Sequence, residues 1–319
     1  MSKVVVTDHT FPSLDVQRGI VQSSGFQFSE AVPPCKTEAD LIGRCGDAVA
    51  LLVQWAPITR KVMEALPKVK CVVRYGVGVD NIDLAAARSL GVTVVNVPDY
   101  CLDEVSNHAL AMICSLCRRI PQDHSQIQSG GWGIGHLRPI PAFTEITLGL
   151  VGFGAIARKV AEKAKVFGFQ IIASDPYAPI AEFSRRGVER VDQTALLSRS
   201  EVISLHCPLL SETRQMINQE TIALMKPGVI FVNTARGALV KEQDLIEGLQ
   251  TRKIGAAGLD VFEKEPLPAD SPLRSLSNVI LTSHAASVSE KAVHSLQVKA
   301  AESACEFLKG NRPAAALTY

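Results

Sequence analysis

One stretch limits what this chain can fold into more than any other: Thr147-Leu-Gly-Leu-Val-Gly-Phe-Gly-Ala-Ile-Ala157 and its continuation to Asp175. Leu148, Leu150 and Val151 form the short apolar run of a buried strand. Gly152-Phe-Gly154-Ala-Ile-Ala157 reads as a tight turn opening a helix over Ala157 to Phe167. Gln170 to Ala173 reads as the next strand, with Asp175 just past its end. Strand, Gly-rich turn, helix, strand and terminal acid in that order make a βαβ unit with a dinucleotide-binding fingerprint. Gly152 lets the chain turn. Gly154 lets the backbone approach a pyrophosphate, whose charge then sits on the helix N-terminus. Asp175 would accept hydrogen bonds from the adenosine ribose hydroxyls, and its charge repels a 2′-phosphate, which favours NAD over NADP. The alternative is a βαβ unit that is structural only.

The rest of the chain repeats the alternation. Strands are expected over Lys3 to Thr7, Ala48 to Val53, Cys71 to Tyr75 and Thr93 to Val97, with helices over Leu14 to Ser23, Thr59 to Ala65 and Leu84 to Leu90. A long helix from Leu102 to Arg118 follows the break at Pro98-Asp99-Tyr100. Residues 128 to 143, rich in Gly and Pro, read as a crossing loop. After Asp175 come strands at Val202 to His206, Val229 to Asn233, Gly255 to Leu259 and Val279 to Thr282, a helix over Glu242 to Gln250, and a last helix from Ser289 to Leu308. This pattern means α/β architecture with doubly wound parallel sheets. At 319 residues, about two domains are expected. A net charge of +1 gives no electrostatic reason to bind nucleic acid or a membrane surface. No apolar run is long enough to span a bilayer, and no secretory segment is seen. The eight cysteines are scattered through apolar contexts. Cys114-Ser-Leu-Cys117 has no second metal-ligand pair, so buried thiols, no metal and a cytoplasmic location are expected.

Four polar interruptions fall at strand ends, where open α/β sheets bind ligands. In Arg74-Tyr-Gly-Val-Gly-Val-Asp-Asn81 the glycines would free backbone N–H groups to hold an anion, though an ordinary turn reads as well. In Asn233-Thr-Ala-Arg-Gly237, Arg236 stands where a guanidinium could take a carboxylate bidentately, though most arginines are surface residues. Gly258-Leu-Asp-Val-Phe-Glu-Lys-Glu-Pro266 holds Asp260 at a strand end and Glu265 before a proline. Alone it reads more readily as a charged loop. Thr282-Ser-His-Ala-Ala-Ser287 places His284, the natural acid or base at neutral pH, at the end of an apolar strand. A lone histidine is more often structural, and His108 and His206 read as packed residues.

Together these stretches resemble the D-isomer-specific 2-hydroxyacid dehydrogenases. The matching segments are 74–83, 149–154, 208–214, 225–237, 260–266 and 284–286, in the family's order. The resemblance implies a flavodoxin-like substrate lobe (residues 1–101 plus 289–319) and a Rossmann NAD lobe (102–288) with a cleft between them. It also implies a homodimer built largely on the NAD lobes, with the loop around Trp132 near the interface. The implied reaction is hydride transfer between NAD(H) and a small 2-oxo or 2-hydroxy acid. Arg236 would bind the carboxylate, helped by N–H groups near Val77 and Gly78. His284 would protonate the carbonyl oxygen, and Glu265 would hold the imidazole. Asp260 would hold the nicotinamide carboxamide. Ala155 and Ile156 would lie by the pyrophosphate, with Cys207, Thr234 and Ala235 along the cofactor.

Ala155-Ile-Ala157 stands where the family often has Arg-Ile-Gly. Asn107 replaces a usual acid, and Ser283 a usual proline. Candidates for the substrate pocket are Gln54, Trp55, Tyr75, Tyr100 and Ser287. The resemblance extends to phosphoglycerate-type enzymes, for which Arg74 and Arg138 could serve a phosphate. It also extends to the C-terminal-binding-protein branch, where the same fold acts as a nucleotide-sensing corepressor.

Overall fold

A computed structural model describes residues 1–318. The chain divides into two compact units, Met1–Cys101 with the segment from Val288 on, and Leu102–Ser287. The first begins with β1 (Lys3–Val6), α1 (Asp15–Ser23), β2 (Gln27–Glu30), α2 (Glu38–Arg44) and β3 (Ala50–Val53). It continues with α3 (Arg60–Ala65), β4 (Cys71–Arg74), α4 (Leu84–Leu90) and β5 (Thr93–Val95). The second holds α5 (Leu102–Cys117), α6 (Ile120–Gln128), β6 (Thr147–Val151), α7 (Ala155–Val166), β7 (Gln170–Ser174), α8 (Ile180–Arg185) and β8 (Glu189–Arg190). After these come α9 (Gln193–Arg199), β9 (Val202–Leu205), α10 (Gln219–Leu224), β10 (Val229–Asn233), α11 (Glu242–Gln250), β11 (Ile254–Leu259) and β12 (Val279–Leu281). The last helix, α12 (Glu290–Leu308), belongs to the first unit.

Each unit is built on one parallel sheet. The first has the order β2-β1-β3-β4-β5, the flavodoxin-like arrangement. Its central strands, Ala-Leu-Leu-Val and Cys-Val-Val-Arg, are buried throughout, as strands covered on both faces must be. Alternate residues serve opposite cores. Leu51, Val53 and Val72 pack with α2, α3 and α4, while Leu52 and Val73 face Val21 of α1 and Ala300, Ala301 and Ala304 of α12. The second sheet runs β12-β11-β10-β9-β6-β7-β8, the doubly wound dinucleotide-binding order with an added edge strand. Fully buried Ala157, Val160, Ala161 and Ala164 seat α7 against that sheet.

The elements absent from the sequence reading fall into two groups. β2 is a polar edge strand, β8 has two exposed residues, and α6 buries none of its side chains, so none carries an apolar signature. The helices α2, α8, α9 and α10 have six or seven residues and bury one or two side chains each, too few for a helical period to show. The helix α7 begins at Ala155, two residues before its expected start.

Candidate active site

In the second unit the strand order reverses between β6 and β9, where doubly wound sheets open a ligand crevice. Gly152, at φ +87°, makes the turn after β6. A Cβ there would stand 2.9 Å from Cys207 N and 2.9 Å from His206 C, so the turn can approach the segment after β9 only as glycine. Phe153 anchors the turn by stacking on Phe183, with centroids 4.4 Å apart. Gly154 then caps α7 with no atom within 4 Å of its Cβ position. Among the described α-helices, α7 alone has neither a side-chain N-cap bond nor an acid in its first turn. Its N-terminal N–H groups and partial positive charge therefore go unanswered by the chain. At the end of β7, Asp175 Oδ2 accepts from Phe153 N at 2.8 Å, and Oδ1 accepts from Tyr177 N at 2.8 Å and Ala178 N at 2.9 Å, which fixes a negative charge there. At the end of β10, Thr234 Oγ1 is buried with no hydrogen-bond partner. Pyrophosphate on an uncapped helix, ribose on a fixed carboxylate and a hydroxyl awaiting a partner are what NAD requires, and these residues fit it.

Three loops of the same unit bring together the candidate catalytic side chains. Asn233, at the end of β10, shapes the first: its Oδ1 accepts from Ala235 N at 3.0 Å and its Nδ2 donates to Arg236 O at 2.9 Å. Gly237 lets that loop touch the next. A Cβ there would fall 1.9 Å from the carbonyl of Phe262. In the second loop Glu265 Oε1 accepts from Phe262 N at 3.0 Å, while Oε2 meets His284 Nδ1 of the third loop at 2.7 Å. Burial pushes the Glu265 carboxyl up. The bond and charge of His284, the Phe262 N–H and the Arg236 charge outweigh it, so the carboxyl titrates below the ordinary glutamate range. Glu265 therefore stays ionised at neutral pH and accepts from His284 Nδ1–H, which leaves Nε2 as the position for a transferable proton. Glu263 does not join them; it takes Gln215 Nε2 at 3.0 Å. Asp260, 1% exposed, accepts from Thr282 Oγ1, Ala285 N and Ala286 N.

Cys207 is half-buried with Sγ 3.7 Å from Met216 Sδ, and burial pushes its thiol up to about 11, so it lines the segment after β9 as a neutral group. Burial pushes the His206 imidazole down to about 4, a packed neutral ring beside Ser204 Oγ at 2.9 Å.

In the first unit the loop after β4 offers another anion-binding element. Gly76 O accepts from Val97 N at 3.0 Å and Val77 O from Asn96 Nδ2 at 2.7 Å. In a trans peptide the N–H points opposite its carbonyl, so Val77 N and Gly78 N face away from that segment. Tyr75 does not belong to a pocket. It is 1% exposed, takes Gln17 Nε2 on its hydroxyl at 3.3 Å and packs edge-on against Phe11, because the strand-end position turns it into the core. Trp55 is 49% exposed, with the Arg74 guanidinium 5.5 Å from its ring centre. Tyr100 is half-buried against the core that includes α12. Sequence reasoning missed Asp8, which pins residues 54–56. An acid at the end of the first strand, where the order reverses, was the signal available.

Residues 110–286 match the family pattern described as D-isomer specific 2-hydroxyacid dehydrogenase, NAD binding domain. The chain is 41% identical over 276 residues to D-3-phosphoglycerate dehydrogenase of Methanocaldococcus jannaschii, covering 86% of this chain and 52% of that protein. It is 37% identical over 287 residues to glyoxylate reductase of Korarchaeum cryptofilum, covering 89% and 86%. The chain thus spans about half the length of the phosphoglycerate dehydrogenase it matches and most of the glyoxylate reductase. The structure of D-lactate dehydrogenase from Aquifex aeolicus, complexed with NAD and lactic acid, superposes with a TM-score of 0.85 at 27% identity, covering 97% of this chain and 96% of that one. The uncapped α7, the Asp175 carboxylate and the matched region agree on NAD as the cofactor, and the chain belongs to the D-isomer-specific 2-hydroxyacid dehydrogenase family.

Proposed function

We propose that this protein is an NAD-dependent D-2-hydroxyacid dehydrogenase that interconverts a small 2-oxo acid and its D-2-hydroxy acid. The observation that carries the reading is the 2.7 Å contact between Glu265 Oε2 and His284 Nδ1, with Arg236 close enough for its charge to act on the same carboxylate. When bound, the nicotinamide supplies or accepts the hydride. Arg236 binds the substrate carboxylate and polarises the adjacent carbonyl. His284 delivers a proton from Nε2 to the carbonyl oxygen during reduction and removes it during oxidation. Glu265 holds Nδ1–H and stabilises the imidazolium. Asp260 would hold the nicotinamide carboxamide, while Ala155 and Ile156 would lie by the pyrophosphate and Cys207, Thr234 and Ala235 along the cofactor. In the first unit Val77 N and Gly78 N suit a carboxylate oxygen, and Trp55 and Tyr100 suit the substrate's side chain. That unit, residues 1–101 with 289–319, serves as the substrate domain.

The functional protein is a homodimer in this reading. Trp132 is 89% exposed and Ile134 67%, beside Ile120 and Ile127 on α6, an apolar surface that a second copy would cover. Eight free cysteines suit the cytoplasm, and no helix among the described residues is long and apolar enough to cross a membrane. Phosphohydroxypyruvate is the second substrate reading, favoured by the Arg74 guanidinium, which lies against Gly76 of the loop after β4, and by the relatives named phosphoglycerate dehydrogenase.

The test follows NADH loss with glyoxylate, hydroxypyruvate, pyruvate, phenylpyruvate and phosphohydroxypyruvate as acceptors. Arg236→Ala should lower kcat/KM by at least about a hundredfold, the scale of a lost charge-paired substrate anchor. NADH binding with no turnover of any acceptor would refute the dehydrogenase and leave a nucleotide-sensing protein.

A further inference from the structure

His284 carries a feature its chemistry alone does not require. Its φ is +55°, in the left-handed region that a side chain with a Cβ rarely occupies. Such a conformation persists only where the surroundings over-determine it. Here the surroundings are Asp260. His284 N donates to Asp260 O at 2.8 Å, Ala285 N to Oδ1 at 2.8 Å and Ala286 N to Oδ2 at 3.0 Å. Three consecutive N–H groups thus converge on one residue, and the left-handed turn at His284 is what lets them.

The carboxylate is itself held from behind. Thr282 Oγ1 lies 2.5 Å from Asp260 Oδ1 and 3.1 Å from His108 Nε2. A carboxylate oxygen can only accept, so the single hydroxyl proton of Thr282 goes to Asp260 Oδ1, which also takes the Ala285 N–H. The hydroxyl oxygen must then accept, which fixes His108 as the Nε2–H donor. The fold brings His108 there deliberately. Gly258 in β11 would meet Met112 Cβ at 3.0 Å if it bore a side chain, so α5 lies close over β11. His108 sits on the same face of α5, one turn before Met112.

We propose that Thr282 and His108 are positioning residues that act through Asp260 to hold His284 in its left-handed turn. The proposal rests on His284 as the acid–base of the reading above. Neither residue touches the reacting atoms. Their effect is to fix the angle at which the imidazole meets Glu265 and the substrate.

The experiment uses the whole chain with Thr282→Val, which deletes the hydroxyl at constant shape, and Thr282→Ser, which restores it. Amide hydrogen exchange at Ala285 and Ala286, read by NMR, should quicken at least about tenfold in Thr282→Val and return to within about twofold of wild type in Thr282→Ser. With an accepted 2-oxo acid, kcat should fall about tenfold or more in Thr282→Val while KM moves less than about threefold, and the serine variant should recover it. His108→Leu, at a half-buried position of α5, should give a smaller loss of about threefold and serves if Thr282→Val does not fold. Unchanged exchange in the variants overturns the proposal. So does faster exchange with kcat unaltered, or a serine variant that fails to recover. His284→Asn separates the two readings. If it keeps full turnover, the acid–base assignment fails, whereas the exchange data still decide whether the relay holds the turn.

Discussion

The two units have reversals of strand order built from the same parts, and they treat them oppositely. In the first unit the reversal lies between β1 and β3. There Asp8 accepts from Gln54 N at 3.1 Å, Trp55 N at 2.5 Å and Ala56 N at 3.2 Å, and from Thr7 Oγ1 at 2.6 Å. Backbone N–H groups that could hold an external anion hold the chain's own carboxylate. Helices of this unit are likewise answered from within, by Thr37 and Asp40 at α2, Thr59 at α3, Asp83 at α4 and Ser289 at α12. In the second unit the reversal between β6 and β9 has Gly152 in place of a side chain, and α7 starts without cap or acid. Topology offers a crevice twice, and a few residues decide which one receives a cofactor.

The comparison breaks most sharply at Gly152. Gly152→Val should weaken NADH at least about a hundredfold by fluorescence titration, because the new side chain meets the backbone of His206 and Cys207 at a positive φ. An equal loss on altering Asp8 would erase the distinction drawn here. Instead Asp8→Ala should leave NADH affinity within about twofold and cost about 4 kcal/mol in urea unfolding, since it strips a charged acceptor from three backbone donors at once. A pH series sharpens the second crevice. The folded His206 titrates at about 4, the unfolded chain near 6.5. The unfolded state therefore binds the extra proton between those values. Stability is full above pH 6.5 and falls as pH drops toward 4, by up to about 3 kcal/mol. His206→Gln should flatten that part of the curve. The smallest expected effect is a gain. Ala155→Arg restores a cation beside the pyrophosphate position and should tighten NADH a few-fold, by about 0.5–1 kcal/mol.

Much of this was legible in the amino-acid order, and the limits are physical. The sheet cores announced themselves because parallel strands buried on both faces read as apolar runs, as in Val229–Asn233. The Gly152–Asp175 unit was legible because close approach and a fixed acid each demand one residue type. Arg236 and His284 fall just past strand ends and Glu265 in a charged loop, each with a bland reading beside it, so the family resemblance and not position alone joined them, and no spacing rule could tell that Glu265 and not Glu263 meets the imidazole, since that depends on which way one loop turns. Tyr75 was misread because a residue just past a strand end can face either the crevice or the core. His108 and Thr282, 174 positions apart, become neighbours only once α5 settles on Gly258. The polar edge strands and the unburied α6 carried no period to read.

The most direct measurement is a calorimetric titration of the whole chain with NADH, repeated on Ala155→Asp, which gives α7 the acidic first turn that α1, α2 and α12 of the first unit carry. The expected result is one NADH per chain in the native protein and at least about tenfold weaker binding in the variant, as a carboxylate takes up the helix charge and repels the pyrophosphate. Two equivalents per chain, or undiminished affinity in Ala155→Asp, would contradict the assignment of the cofactor to the second crevice alone.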